Sequence, residues 1–162
     1  MAVDMFLKVE GLPGESVDSK HAKDIDVLSW EFGVTQAGTM HVATGGGSSK
    51  ASFGDMRVEK FVDSATHSLF GAVADGRHFK KGELFVRKAG GDAPLEYLVI
   101  TMTDIIITSY HTGAVSTHDE RLKETVMLNF AKVKFAYKPQ KKDGTGDAEK
   151  SFEWNIAENV KV

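Results

Sequence analysis

The chain has 162 residues, of which 41% are hydrophobic and 27% are charged, and it contains no cysteine. This length predicts a single domain over residues 1–162, and the composition excludes a disordered chain. The absence of thiols excludes disulfides, a cysteine nucleophile and cysteine-held metal sites, and the net charge of −3 with no basic arm argues against a nucleic-acid partner.

The N-terminal residues lack the positive region and the long apolar core of a signal peptide. The most apolar stretch, from Leu98 to Ile107, is interrupted by Thr101, Thr103 and Asp104. No run of about 18 apolar residues therefore exists that would predict a membrane-spanning helix. We expect a protein that is made in the cytoplasm and does not insert into a membrane.

Alternation of apolar and polar residues predicts β-strands through most of the chain. In chain order, the segments with this pattern or with many β-branched residues are 3–9, 25–35, 56–59, 83–87, 95–110, 125–137 and 152–156. Within the second segment, the even-numbered apolar residues are predicted to face inward, and these are Leu28, Trp30, Phe32 and Val34.

One short helix is predicted after the strand at 56–59. Asp63 or Ser64 can cap its start, and Gly76 can end it in the left-handed conformation. Its apolar stripe consists of Ala65, Leu69, Ala72 and Val73.

Two of the predicted strands carry an unusual pattern. Between Thr125 and Tyr137 the apolar residues move from even to odd positions, which predicts a β-bulge or a sharp bend. The segment from Leu95 to Tyr110 is apolar on both faces, so either it bends or another chain covers its outer face. The patterns together predict a mainly β fold, either an antiparallel β-barrel or a two-sheet sandwich, with one short α-helix.

Glycines mark the connections between strands. Residues 38–52 include the run GGGSS at 45–49, which predicts a flexible surface or interaction loop, because the spacing of a phosphate-binding loop is missing. Residues 89–92 (AGGD) predict a hairpin turn, and residues 141–150 predict a polar connection.

No chemical motif rises above these structural patterns. The six histidines lack the spacing of a metal-binding pair, and the acidic run from Asp143 to Glu149 lacks the glycine and the closing glutamate of a calcium loop. Trp30 and Trp154 lie on the apolar phase of their strands and are predicted to pack in the core. We therefore predict no catalytic residue, no metal site and no cofactor from the motifs, whereas a pair of carboxylates that meets only in space stays open from the residues.

Several blocks of sequence resemble, in the same order, the haemolysin-coregulated protein (Hcp) family of the type VI secretion system. The resemblance extends from residue 2 to about residue 160. The blocks are residues 2–8 (AVDMFLK), 14–16 (GES), 25–30 (IDVLSW), 87–91 (RKAGG), 96–98 (EYL), 126–131 (VMLNFA), 137–140 (YKPQ) and 154–156 (WNI).

This resemblance implies a β-barrel protomer that assembles into a hexameric ring, with rings stacked as the inner tube that a contracting sheath expels. The implied partners are further copies of the chain, the spike protein at the tube tip, the contractile sheath and baseplate, and effector proteins that the ring lumen binds, stabilises and carries. Such a protein leaves the bacterial cytoplasm for the extracellular space or a target cell without a signal peptide. Since no catalytic domain follows, we expect a plain tube subunit.

The resemblance also implies contact residues. Ser29 and Glu31 lie on the non-core face of the strand that lines the lumen in the family, and they are expected to contact effectors. The two glycine-containing loops are expected to contact neighbouring subunits or stacked rings. Their candidate residues are Gly38, Thr39, Met40, His41, Gly45, Gly46, Gly47, Ser48, Ser49, Lys50, Gly90, Gly91 and Asp92.

A second class of function remains open from the residues. Because a fold does not fix a function, the chain is alternatively a monomeric small-ligand-binding or enzymatic β-barrel that shares only the scaffold of the family. Assembly into rings separates the two hypotheses.

Overall fold

The computed structural model describes residues 3–38, 40–41, 49–88, 94–117 and 121–162. The described residues form strands and one α-helix. In chain order the elements are β1 (Val3–Val9), β2 (Ile25–Asp26), β3 (Ser29–Glu31), β4 (Val34–Thr35), β5 (Ser52–Phe53), β6 (Met56–Phe61), α1 (Thr66–Asp75), β7 (His78–Lys88), β8 (Glu96–Gly113), β9 (Lys123–Tyr137), β10 (Lys150–Asn155) and β11 (Val160–Lys161).

Most strands join one antiparallel sheet. Its main order is β11-β10-β9-β8-β7-β1-β2, and β3 pairs with β6, which pairs with β9, while β4 and β5 form a separate two-stranded sheet. The mainly β, antiparallel fold with one helix is thus confirmed, but the strand pairs of the described residues do not form a closed barrel. No helix in this part of the chain is long and apolar enough to cross a membrane.

The two longest strands bend together. β9 pairs with β8 along its length, whereas its other edge pairs first with β6, through residues 123–128, and then with β10, through residues 132–137. Between these two regions lies Ala131, whose carbonyl accepts the backbone N–H of Ile156 at 2.8 Å. Beside it on β8, Asp104 has a φ of 54° in the left-handed region. The predicted bend lies at this place, but of the odd apolar positions after it only Val133 is buried, since Phe135 and Tyr137 are exposed.

The bend explains why the strand at 95–110 is apolar on both faces. Before Asp104 the even positions of β8 are buried, and after it the odd positions are buried, so that both sets enter the same core. Among the aliphatic residues of β8, Val99 and Ile106 are half-buried and the others are buried. A covering chain is thus not needed to explain the pattern. The five core residues from this strand are Leu98, Ile100, Met102, Ile105 and Ile107.

The predicted strand at 25–35 is instead three short strands. β2 pairs with β1, β3 with β6, and β4 with β5, so the chain passes from one neighbour to the next. The side chains at the even positions therefore no longer point to one common face. Trp30 and Phe32 pack against the core as predicted, whereas Leu28 and Val34 are exposed, and the prediction for those two residues is wrong.

The helix lies where the sequence predicts it. Gly76 ends it with a φ of 67°, and its N–H donates to the carbonyl of Ala72 at 3.0 Å. The predicted cap is wrong, because the N-cap residue is Ala65 and no side chain caps the helix; Asp63 instead accepts the N–H of Ala65 at 2.9 Å in the preceding turn. Leu69 and Ala72 are the buried residues of α1.

A buried ionic network joins β6, α1, β8 and β9. Lys60 is fully buried, and its Nζ donates to Glu124 Oε1 and, at 2.9 Å, to Asp63 Oδ1. Glu124 also accepts the hydroxyls of Thr66 at 2.8 Å and Tyr110 at 2.6 Å. Because every charge in this site has a partner, the network holds the four elements in one register.

We expect Glu124→Ala to lower the free energy of unfolding by about 3–5 kcal/mol, because Lys60 is then buried without its main charge partner. Chemical denaturation at a fixed protein concentration measures this loss. The matched control is Arg57→Ala, which removes an exposed ion pair with Glu59 at 3.8 Å and should cost less than about 1 kcal/mol. Equal losses in the two variants would contradict the prediction.

The same network predicts a pH dependence. Burial, together with the hydrogen bond to Glu124, raises the pKa of Tyr110 from 10.0 to about 12. The folded protein therefore keeps this phenolic proton in a pH range where the unfolded chain loses it, so the stabilisation is complete below pH 10.0 and is lost as the pH rises towards about 12.

The difference in unfolding free energy between the wild type and Tyr110→Phe should accordingly be constant below pH 10.0 and change only above it. Denaturation at a series of pH values measures the difference. Absorbance titration of the three tyrosines should show one that ionises last and is missing in the variant. If the variant loses a transition near pH 10.0 and keeps the one that occurs last, the assignment is refuted.

Candidate functional site

Ser29 and Glu31 lie on the outer face of β3, as the sequence predicts. They alternate with Trp30, which packs against the core. Ser29 pairs with Glu59 and Glu31 pairs with Arg57 on the neighbouring strand β6. Ser29 is half-buried and Glu31 is exposed, so both side chains can be reached from outside.

The outer face of β3 continues as a polar surface across three further strands, which we call the polar face. In the strand registers, Ser29, Glu59, Thr125 and His111 form one row, and Glu31, Arg57, Met127 and Ser109 form the next row. Arg57 Nη2 lies 3.8 Å from Glu59 Oε2. The face offers hydroxyl groups and charges of both signs, which are groups suited to contacting another protein surface.

The connection between β4 and β5 carries most of the predicted assembly residues. Gly38, Met40, His41, Ser49 and Lys50 are exposed in it, with Met40 at 91%. The hydroxyl of Ser49 donates to Gln36 Oε1 at 2.8 Å and so joins the two sides of the connection. The predicted contact residues outside the described part of the chain are Thr39, Gly45, Gly46, Gly47 and Ser48.

The second predicted assembly loop joins β7 to β8. Gly90, Gly91 and Asp92 lie outside the described residues, but the base of the loop is described. There the N–H of Lys88 donates to the carbonyl of Leu95 at 3.2 Å. The base is therefore held as a continuation of the β7–β8 pair.

A buried arginine fixes one side of this base. Arg87 Nη1 donates to Asp18 Oδ1 at 3.1 Å, and Nη2 donates to Asp4 Oδ2 at 3.1 Å. The hydrogen bond from Arg87 holds the pKa of Asp18 well below its usual range and raises the pKa of the arginine. Alternation along β7 predicts a polar outer position for Arg87, but the loop between β1 and β2 covers it.

A buried histidine fixes the other side. His21 Nδ1 lies 2.9 Å from Asp24 Oδ2, and Nε2 lies 2.7 Å from Glu96 Oε1. Its ring stacks on Phe6 with 4.3 Å between the centroids. Each ring nitrogen of His21 therefore faces one carboxyl group, so that the side chain joins the loop before β2 to the start of β8. No sequence motif marks this cluster, because its residues are far apart in the chain.

An apolar groove of about 630 Å³ runs between the β4–β5 sheet and the strands β9 and β10. Phe135 and Phe152 are 41% and 53% exposed in it. Phe152 stacks on Trp154 with 6.1 Å between the ring centroids. We call this surface the aromatic groove. Its lining residues are Phe32, Gly33, Val34, Ala51, Phe53, Val133, Phe135, Phe152 and Trp154.

Trp154 therefore does not belong to the core, and the prediction for it is wrong. β10 lies beyond β9 near the end of the main sheet, so the apolar phase of β10 faces the groove rather than the core. The indole Nε1 of Trp154 is buried and has no hydrogen-bond partner among the described residues. An apolar alternation alone does not reveal this difference.

Comparisons with known proteins give a consistent relationship. Residues 6–137 match a family model described as "Type VI secretion system effector, Hcp". The chain is 44% identical over 163 aligned residues to "Protein hcp1" of Pseudomonas aeruginosa, with both chains covered completely.

Solved structures show the same similarity. One is a type six secretion system protein, which is 29% identical with a TM-score of 0.93. The alignment covers 99% of this chain and 100% of that protein's chain. Another is Hcp1 from Salmonella typhimurium, which is 35% identical with a TM-score of 0.81. The alignment covers 100% of both chains.

Proposed function

The chain belongs to the Hcp family of type VI secretion proteins, and we propose that it is a structural subunit of the inner tube of that secretion system. The single observation that carries the proposal is the 44% identity to Protein hcp1 over the full length of both chains. A tube subunit works through surfaces on all of its sides, so similarity over the whole chain is the relevant kind.

In this proposal, six copies close into a ring, and the rings stack into a tube that sheath contraction expels. A ring forms when two different surfaces of each subunit meet, so that each contact leads to the next copy. Assembly also covers exposed strand edges and aromatic side chains, which otherwise lead to aggregation. The exposed loop with Met40 and the aromatic groove support such contacts.

The proposed partners are the chain itself, the spike protein at the tube tip, the contractile sheath with its baseplate, and effector proteins in the lumen. The protein is made in the bacterial cytoplasm and exported through this machine. It acts by binding, with neither a catalytic step nor a cofactor.

The polar face is the proposed lumen surface. Ser29 and Glu31 lie on it beside Arg57 and Glu59, so that six copies would place rings of hydroxyl and charged groups around a cavity. These groups bind a protein cargo through hydrogen bonds and exposed charges. Such contacts are individually weak, which suits reversible binding.

We expect the purified protein to form rings with a mass of about six times 17.7 kDa. Native mass spectrometry gives the number of copies, and negative-stain imaging shows the ring. A particle that stays at 17.7 kDa at high concentration and binds a small ligand or turns over a substrate would favour the alternative class.

We also expect the double variant Ser29→Gln with Glu31→Lys to form rings normally but to carry less cargo, because it changes the size and charge of the lumen surface. The measurement is quantitative mass spectrometry of the proteins that copurify with rings from a bacterium with an active type VI system. Glu158→Lys, at an exposed position away from β3, is the matched charge-reversal control. Equal cargo on the wild type and the double variant would disprove the assignment.

A further inference from the structure

We infer that a cavity between β1, β2 and β7 binds a basic side chain, of lysine or arginine, from a protein other than this chain. The inference goes beyond the proposed function, since it assigns a ligand to a surface that neither the polar face nor the aromatic groove includes. We call this surface the aspartate cavity, after Asp4, Asp18 and Asp26, which line it together with Arg87. Its volume is about 370 Å³.

The charges that line the aspartate cavity do not balance. Three carboxylates meet one guanidinium group, and Arg87 donates to two of them, Asp18 Oδ1 and Asp4 Oδ2, each at 3.1 Å. Asp26 is exposed at the cavity, and no lysine, arginine or histidine nitrogen of the described residues lies within 4.0 Å of its carboxylate. Desolvation at the cavity wall raises the pKa of Asp26, as happens where no close cation favours the charged form. A cationic group from a ligand would supply the missing charge.

A buried donor without a partner lies beside these carboxylates. The Arg87 side chain lines the cavity and is only 7% exposed. Its Nη atoms have the aspartate partners, but its buried Nε has no acceptor among the residues that the structure describes. Because such a donor is unfavourable, it indicates a ligand that also brings an oxygen acceptor. A backbone carbonyl next to the basic side chain meets this need, which favours a residue of a polypeptide over a simple amine.

The remaining walls of the cavity suit the stem of a basic side chain. Met5 and Val27 line it beside the carboxylates, and Val3 and Val17 line it with 42% and 97% of their surface exposed. Lysine and arginine carry methylene groups that pack on apolar surface while their charged ends stay with polar partners. The cavity offers both kinds of contact, so it fits these side chains better than a compact inorganic cation.

Two features favour an extended segment of a basic protein as the source of the side chain. β1 pairs with β7 along its whole length, but it pairs with β2 only at Phe6 and Leu7. On the β2 side, Val3 and Asp4 therefore have no strand partner within the described part of the chain, and a free strand edge accepts an extended segment through backbone hydrogen bonds. The net charge of −3 on each copy also favours a basic partner over a second copy.

Titration with a capped lysine tests the ligand class. We expect N-acetyl-lysine N-methylamide, which has the ammonium group, the methylene stem and carbonyl oxygens, to bind the full-length chain with a Kd of about 1 mM. The same compound with an acetylated side chain has no charge and should bind about tenfold more weakly or less. Pentylamine keeps the charge but has no carbonyl group, and it should also bind more weakly than the capped lysine. Isothermal titration calorimetry measures the three affinities.

A substitution in the cavity tests the place of binding. Asp26→Asn keeps the shape of the side chain but removes its charge, so it should lower the affinity for the capped lysine by about tenfold or more. Glu158→Gln removes an exposed charge on another part of the chain and should leave this affinity unchanged. Thermal unfolding checks that both variants fold. The comparison of the three compounds on the wild type does not depend on either variant.

The outcomes separate this inference from the proposed function. The inference is overturned if the capped lysine shows no saturation up to about 10 mM, if either comparison compound binds as tightly, or if a folded Asp26→Asn binds it as tightly as the wild type. Native mass spectrometry should find the same rings in Asp26→Asn as in the wild type. Loss of rings in the folded variant would make the cavity a contact between copies and would also overturn the inference. A wild type that binds the capped lysine but forms no rings would refute only the proposed function.

Discussion

The bend shared by β8 and β9 determines where every other surface of the molecule lies. At Asp104 β8 exchanges its buried face for the opposite one, and β9 changes its neighbour from β6 to β10 beside it at Ala131. A left-handed conformation at a residue other than glycine costs about 1–2 kcal/mol, and aspartate is among the residues that tolerate it best. The bend brings five apolar side chains of β8 into one core, and their burial outweighs this local cost.

The same bend gives the subunit two chemically different surfaces. The first part of β9 pairs with β6 and supports the polar face, whereas the second part pairs with β10 and supports the aromatic groove. The ion pair between Lys60 and Glu124 joins this first part to β6, and the hydroxyl of Thr66, which donates to Glu124 at 2.8 Å, joins it to α1. Because the two surfaces grow from one continuous strand, their relative direction is set by the fold. A ring of identical subunits requires such a fixed direction.

Part of this structure follows from the sequence and part does not. Alternation of apolar and polar residues shows the strands and the bend after Phe130, and a glycine shows the end of the helix at Gly76. Each of these signals lies in a short stretch of sequence. The sequence does not reveal the division of residues 25–35 or the position of Trp154, because both depend on which strand lies next to theirs in the sheet. It also does not reveal the burial of Arg87, because that depends on the loop between β1 and β2. The contact of His21 with Glu96 joins residues 75 positions apart, and no local pattern records it.

The chemistry of the two surfaces suits two different demands on the tube with cargo that we propose. Contacts between subunits must survive expulsion, and apolar contacts meet this demand because salt does not screen them. Contacts with cargo must be released, and exposed charges such as the Arg57–Glu59 pair contribute no more than about 1 kcal/mol each. In the proposed tube, apolar contacts would hold the wall together while Ser29 and Glu31 would hold the cargo only loosely. The aromatic residues of β10 and the polar residues of β3 lie on separate surfaces of the subunit, so that the two kinds of contact would not compete.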